Sequence, residues 1–173
     1  ALVAVFDPLP YNITVNSTVG GNATIKQAPP YLFDNTYTLS SKAEYGYSFN
    51  NWSSSSNSEN LLSSTTSSIS SFTLNGNVSF TGNFSENQYL LTVQVGAGGA
   101  SALPANPTYY SHSTQVPVTA TALEGYEFDR WEDSTGSILD FTDINSTVIM
   151  SRNAADVTVK ALFKPKQYSV TLT

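Results

Sequence analysis

The sequence predicts an all-β protein built from two tandem small modules, and three observations predict it. A nine-residue block, Glu44-Tyr45-Gly46-Tyr47-Ser48-Phe49-Asn50-Asn51-Trp52, returns as Leu123-Glu124-Gly125-Tyr126-Glu127-Phe128-Asp129-Arg130-Trp131. Gly46, Tyr47, Phe49 and Trp52 thus each meet a counterpart 79 residues on, a period that marks a repeat architecture. The flanks alternate apolar and polar residues, the pattern of strands with one buried face. No apolar run at helical spacing is long enough for a helix. At most a single helical turn is expected, near 61–62 or 138–141.

The elements follow in order. Phe6, Phe84 and Phe163 each close a short alternating run, and Tyr11, Tyr89 and Tyr168 each follow five residues later. Residues 1–6 therefore read as the last strand of a preceding repeat, with 1–10 its end plus linker. Each module opens on a strand, Tyr11-Asn12-Ile13-Thr14-Val15 or Tyr89-Leu90-Leu91-Thr92-Val93. Gly20-Gly21 and Gly98-Gly99 mark the turns that follow, because glycine enters positive φ without steric cost. Pro29-Pro30, Pro104 and Pro107 stop a ladder from continuing. Strands at 36–43 and 115–122 lead into the repeated block. The serine-rich stretch 53–68 reads as a loop. Asn75-Gly76, between 70–74 and 78–84, is a strong hairpin signal, and its counterpart is the longer connection 151–156. The expected modules are 11–84 and 89–163, linked by 85–88. Residues 164–173 read as a linker plus the first strand of a following repeat.

Each module is small enough to need a dense core. Tyr47, Phe49, Trp52 and Phe84 are expected to form one, and Tyr126, Phe128, Trp131 and Phe163 the other. The four-residue links span at most about 17 Å, so the modules are expected to stack into an elongated, stiff array.

Composition narrows the function. Charged residues are 12% of the chain, against about 25% in ordinary soluble proteins, while serine and threonine total 45 and asparagine 15. That balance points to an extracellular or cell-surface chain. A net charge of −6 with seven basic residues leaves no footprint for nucleic acid. The absence of cysteine removes disulfides, thiolate nucleophiles and cysteine-ligated metals. No apolar run reaches the length of a membrane-spanning helix.

Candidate sites are few. Gly96-Ala97-Gly98-Gly99 lacks the following helix and lysine of a phosphate loop. His112 is the only histidine, beside Ser111 and Ser113, without the strained nucleophile turn of a serine hydrolase. Seven acids fall between Glu124 and Asp143; Asp133, Asp140, Asp143 and Asn145 are the set that would converge on calcium, an oxygen-seeking ion. The alternative is a solvated acidic loop. Asn-x-Ser/Thr occurs at Asn12, Asn16, Asn22, Asn51, Asn77, Asn83 and Asn145, the acceptor pattern for N-glycosylation. Lys26, Lys42 and Lys160 lie on expected strands but show no partner set for an isopeptide bond. No cofactor and no catalytic residue is expected.

The order Tyr-x-(Leu/Ile)-Thr-Val, Gly-Gly, a Val/Thr/Ala strand, Gly-Tyr-x-Phe-x-x-Trp and a closing Phe resembles the divergent internalin-type B-repeat. The second module carries it most fully, through Tyr89, Thr92, Val93, Gly98, Gly99, Val118, Thr119, Ala120, Gly125, Tyr126, Phe128, Trp131 and Phe163. The first departs at Ser40-Ser41-Lys42-Ala43 and in its serine-rich insertion. The resemblance implies a β-rich module, β-grasp-like in better-known relatives, repeated in tandem in microbial surface proteins, with a stalk or adhesive role and no catalysis. Two other roles are expected to compete with it: binding of a glycan or protein through the loops after Trp52 and Trp131, and self-assembly into a filament by strand addition through the terminal strands.

Overall fold

The computed structural model describes residues 9–55, 58–150 and 155–172. The chain divides into two compact units, Ala1–Glu86 and Asn87–Thr173. The expected strand at 1–6 lies outside the described residues, as does most of the 151–156 connection. Among the described residues there are strands and one 3-10 turn, and no α-helix.

Unit 1 contains β1 (Ile13–Ser17), β2 (Gly21–Ile25), β3 (Thr36–Ala43), β4 (Tyr47–Ser54), β5 (Ile69–Thr73) and β6 (Val78–Glu86), with a 3-10 turn at Glu59–Leu61. They form two three-stranded sheets, β1-β6-β4 and β2-β3-β5. Unit 2 repeats the plan with β7 (Gln88–Val95), β8 (Gly99–Leu103), β10 (Gln115–Ala122), β11 (Tyr126–Asp133), β12 (Asn145–Ile149) and β13 (Val157–Pro165). It adds β9 (Thr108–Ser111) at the edge of the sheet β11-β13-β7-β9 and keeps β12-β10-β8 as the second sheet. In unit 1 the place of β9 is held by a single bridge between Tyr11 and Tyr31.

The opening and closing strands of each unit lie side by side and parallel. Ile13 faces Val78 in unit 1 and Leu91 faces Val157 in unit 2. Parallel neighbours require a crossover, and here everything between the first and last strand supplies it, so each unit closes only when its last strand arrives. Alternation along β6 buries Val78, Phe80, Gly82 and Phe84; along β13 it buries Val157, Val159 and Ala161.

Two expectations about connections change. Asn75-Gly76 does not join a hairpin: β5 pairs with β3, while β6 pairs with β1 and β4. The turn carries the chain from one sheet to the other, so the chain need not fold back on itself there. The link between units is also shorter than 85–88, since β6 runs to Glu86 and β7 starts at Gln88. The expected helical turn appears at Glu59–Leu61; at the second site Ile138 instead bridges Val148.

Candidate structural site: two tryptophan-centred interiors

The repeated block builds the same arrangement twice. Phe49 and Trp52 are three residues apart, a spacing that puts them on opposite faces of a regular strand. A bulge between Phe49 and Asn51 inserts one residue into β4, and the matching bulge lies between Phe128 and Arg130 in β11. An extra residue reverses the alternation, so both rings turn inward. Phe49 then sits 5.3 Å from Trp52 and 5.6 Å from Phe84; Phe128 sits 5.6 Å from Trp131 and 5.9 Å from Phe163. The paired closing residues are opposite one another in the ladder, Phe49 with Phe84 and Phe128 with Phe163.

The glycine pairs are seats for these rings. Gly20 and Gly98 adopt positive φ, and a Cβ on either would overlap the ring of Tyr47 or Tyr126. A Cβ on Gly21 or Gly99 would overlap Phe84 or Phe163. The Gly20 and Gly98 carbonyls also accept Glu44 N–H and Leu123 N–H at 2.9 Å, tying this turn to the one before the repeated tyrosine. The sequence marks these glycines as turn formers. Their second task, room for a ring 27 or 28 residues away for the first glycine and 63 or 64 for the second, shows in the sequence only as co-occurrence in both repeats.

Trp52 and Trp131 are each 1% exposed. Each belongs to its own cluster, Trp52 with Leu39, Phe72 and Phe80, Trp131 with Val118, Val148 and Val159. The loop after each tryptophan returns to satisfy it. Trp52 donates its backbone N–H to the Thr65 carbonyl at 2.7 Å and its indole N–H to the Ser67 carbonyl at 2.9 Å. Trp131 does the same with the carbonyls of Phe141 and Asp143, at 2.8 and 2.9 Å. A buried indole N–H without a partner would cost about 1–3 kcal/mol. The serine-rich insertion and the acidic loop thus perform one task, with different residues. Around them, Phe84 is buried, while Tyr47, Phe49, Phe128 and Phe163 are half-buried. Tyr126 departs from the expected core: at 36% exposed it forms the rim over Gly98.

The acids of the loop fold it locally. The Asp133 carboxylate accepts from the N–H groups of Thr135, Ser137 and Ile138 and from the Thr135 hydroxyl. Burial pushes its pKa up, but the Thr135 hydroxyl and the Ile138, Thr135 and Ser137 N–H groups outweigh this and hold it below the ordinary carboxylate value. Asp140 Oδ1 accepts from Thr142 and Asp143 N–H, with its pKa lowered first by the Thr142 N–H. Asp143 Oδ1 accepts Asn145 N–H, and Asn145 Oδ1 accepts the Thr119 hydroxyl. Asp133 thus ends β11, Asp140 and Asp143 lie in the loop that follows, and Asn145 opens β12, with each of the three carboxylates holding N–H groups of nearby residues. Among the described residues no group of three His, Cys, Asp or Glu is placed to hold a metal ion.

Other sequence candidates find plain places. Gly96, Gly98 and Gly99 form the turn from β7 to β8, with a strand and not a helix after it. His112 sits in the turn between β9 and β10, its N–H donated to the Asn87 carbonyl. Of the seven sequon asparagines, Asn12, Asn16, Asn22, Asn51, Asn77 and Asn145 are exposed and Asn83 is half-buried. No helix among the described residues is long and apolar enough to cross a membrane.

The comparisons with known proteins give one match. A family model described as the divergent InlB B-repeat domain fits the chain twice, over residues 11–88 and 89–167. No curated protein and no solved structure matches it.

Proposed function

Because the chain belongs to the divergent InlB B-repeat family, we propose that it is a non-enzymatic spacer or stalk segment of an extracellular or cell-surface protein. The observation that carries this reading is the duplicated closed interior. The residues that define the repeat are spent on packing, and both indole N–H groups are taken by the unit's own loop carbonyls. A motif used up internally is a folding device, and repeating it lengthens a protein without adding chemistry. The polar, weakly acidic surface keeps such a segment soluble.

Stretching single molecules between the termini tests it. Two separate extension steps are expected, each about 250 Å for roughly 75 residues at about 3.4 Å apiece. One merged step, or a chain that extends without steps, counts against modules that bear load separately. A glycan- or protein-binding role through the loops after Trp52 and Trp131 requires those tryptophans to sense ligand. Their fluorescence is expected to stay unchanged across a glycan panel.

A further inference from the structure

The outward face of the sheet β1-β6-β4 lacks charge. Six positions that are charged in unit 2, Glu127, Asp129, Arg130, Glu132, Lys160 and Lys164, are Ser48, Asn50, Asn51, Ser53, Thr81 and Ser85 in unit 1. In unit 2 Lys164 on β13 pairs across to Glu127 at 3.5 Å and Asp129 at 3.7 Å on β11, and Arg130 pairs with Asp129 and Glu132 along β11. In unit 1 they form amide and hydroxyl contacts, such as Ser85 to Asn50 at 2.9 Å.

Sequons gather on that same face. Ile13 and Val78 are register partners that point inward, so Asn12, Asn16 and Asn77 point outward, as do Asn51 and Asn83, which face each other across β4 and β6. Five of the six sequons in unit 1 therefore share one sheet face, and only Asn22, on β2, lies in the other sheet. The side chains differ in what holds them. Asn83 Nδ2 donates to Asn51 Oδ1 at 2.9 Å and to Ser53 Oγ at 3.0 Å. Both amide hydrogens are engaged, and the Ser53 hydroxyl of the Asn51 sequon is engaged with them. Asn16 lies exposed on the edge strand β1, and Asn12 and Asn77, just ahead of β1 and β6, adjoin one another, the Asn12 N–H meeting Asn77 Oδ1 at 2.9 Å.

We propose that Asn16 and at least one of the neighbouring pair Asn12 and Asn77 carry N-linked glycans, making this uncharged face the sugar-bearing side of unit 1, while the Asn51–Asn83 pair stays bare. The transfer joins the asparagine Nδ2 to the anomeric carbon of an oligosaccharide activated as its lipid diphosphate. The anomeric carbon–phosphate bond breaks, the lipid diphosphate leaves, and the amide nitrogen gives up one proton to the external transferase. Glycans supply the hydration that charge supplies in unit 2, and they shield an edge strand otherwise open to pairing.

This inference rests on the extracellular placement proposed above, and surface labelling of intact cells tests that placement separately. Protein from the native source is then mapped by glycopeptide mass spectrometry. Sugar on the peptides carrying Asn16 and Asn12 or Asn77, and none on those carrying Asn51 and Asn83, is the expected result. Release by an amidase that converts each modified asparagine to aspartate marks the same positions. Surface-labelled protein with Asn12, Asn16 and Asn77 all unmodified overturns the proposal, as do glycans confined to Asn22 and Asn145 or present at Asn51 or Asn83. Asn16→Gln should remove the mass of one glycan; no change in mass is equally fatal.

Discussion

In unit 1 the inward positions Tyr37, Phe72 and Phe80 carry rings where unit 2 has Val116, Val148 and Val159. Unit 2 recovers some of that volume at Ala161, where unit 1 has Gly82. A Cβ on Gly82 would press on Ala23 and Trp52, so unit 1 leaves that position empty to fit larger neighbours. Outside, the exchange runs the other way, with charge in unit 2 and neutral hydroxyls and amides in unit 1. What stays fixed is the set Gly-Gly, Tyr, Phe, Trp and closing Phe. Cores tolerate substitution when total volume is kept, whereas a ring seated on a glycine leaves neither partner free to change.

The most direct way to break that fixed set is to remove its centre. Trp52→Ala and Trp131→Ala should each destabilise their own unit by about 3–5 kcal/mol, the usual cost of truncating a buried aromatic. Unit 1 keeps Phe72 and Phe80, 4.9 Å apart, beside the hole. Denaturant melts with amide exchange resolved by unit would show the damage confined to one cluster. Equal loss of protection in both units would mean that the two interiors are not separate.

Next come the seats. Gly20→Ala and Gly98→Ala each force a side chain into positive φ and against a tyrosine ring. A loss of about 1–3 kcal/mol is expected from the backbone conformation alone, and nearly the same loss in both units. Pairing Gly98→Ala with Tyr126→Ala sharpens the comparison. If the ring is the obstacle, the double variant costs less than the sum of the two single variants. Strict additivity would leave only the backbone.

Much of this frame was legible because it occurs twice. The strands 36–43 and 115–122 coincide with β3 and β10, and the repeated aromatics locate both interiors. The spacing Phe-x-x-Trp already contained the bulge, since no regular strand buries residues three apart. The sheet change at Asn75-Gly76 was hidden, because a hairpin and a crossing between sheets use the same turn residues. The role of the post-tryptophan loops was hidden too, since they receive the indole through backbone carbonyls, which carry no side-chain signature.

Acid separates the units by a smaller amount. Asp133 stands where unit 1 has Ser54, and its carboxylate holds three N–H groups of the loop that caps Trp131. A carboxyl with a lowered folded pKa stabilises fully above its unfolded value, about 3.9. The contribution is lost as pH falls through the folded value. Unit 2 should therefore lose stability below about pH 4 relative to Asp133→Asn, by about 1 kcal/mol or less, because solvent screens a group this exposed. Trp52→Phe leaves Trp131 as the reporter for the melt. Identical acid profiles for the parent and Asp133→Asn would assign the loop's stability to other contacts.

The smallest expected effect is a gain. Asp34 and Ser113 occupy equivalent turns ahead of β3 and β10, with φ of 61° and 62°. Their N–H groups meet the carbonyls of Leu74 and Met150, at 2.8 and 3.1 Å. An L-residue in this region pays a steric cost that glycine avoids, although glycine loses more entropy on folding. Aspartate tolerates the conformation through local hydrogen bonding better than most residues, so the two sites should respond unequally. Ser113→Gly is expected to stabilise unit 2 by about 0.5 kcal/mol and Asp34→Gly to leave unit 1 within a few tenths of its starting value. Thermal melts of the two variants against the parent measure the difference directly. A larger gain at Asp34 than at Ser113 would mean that the cost lies in the turn and not in the residue placed there.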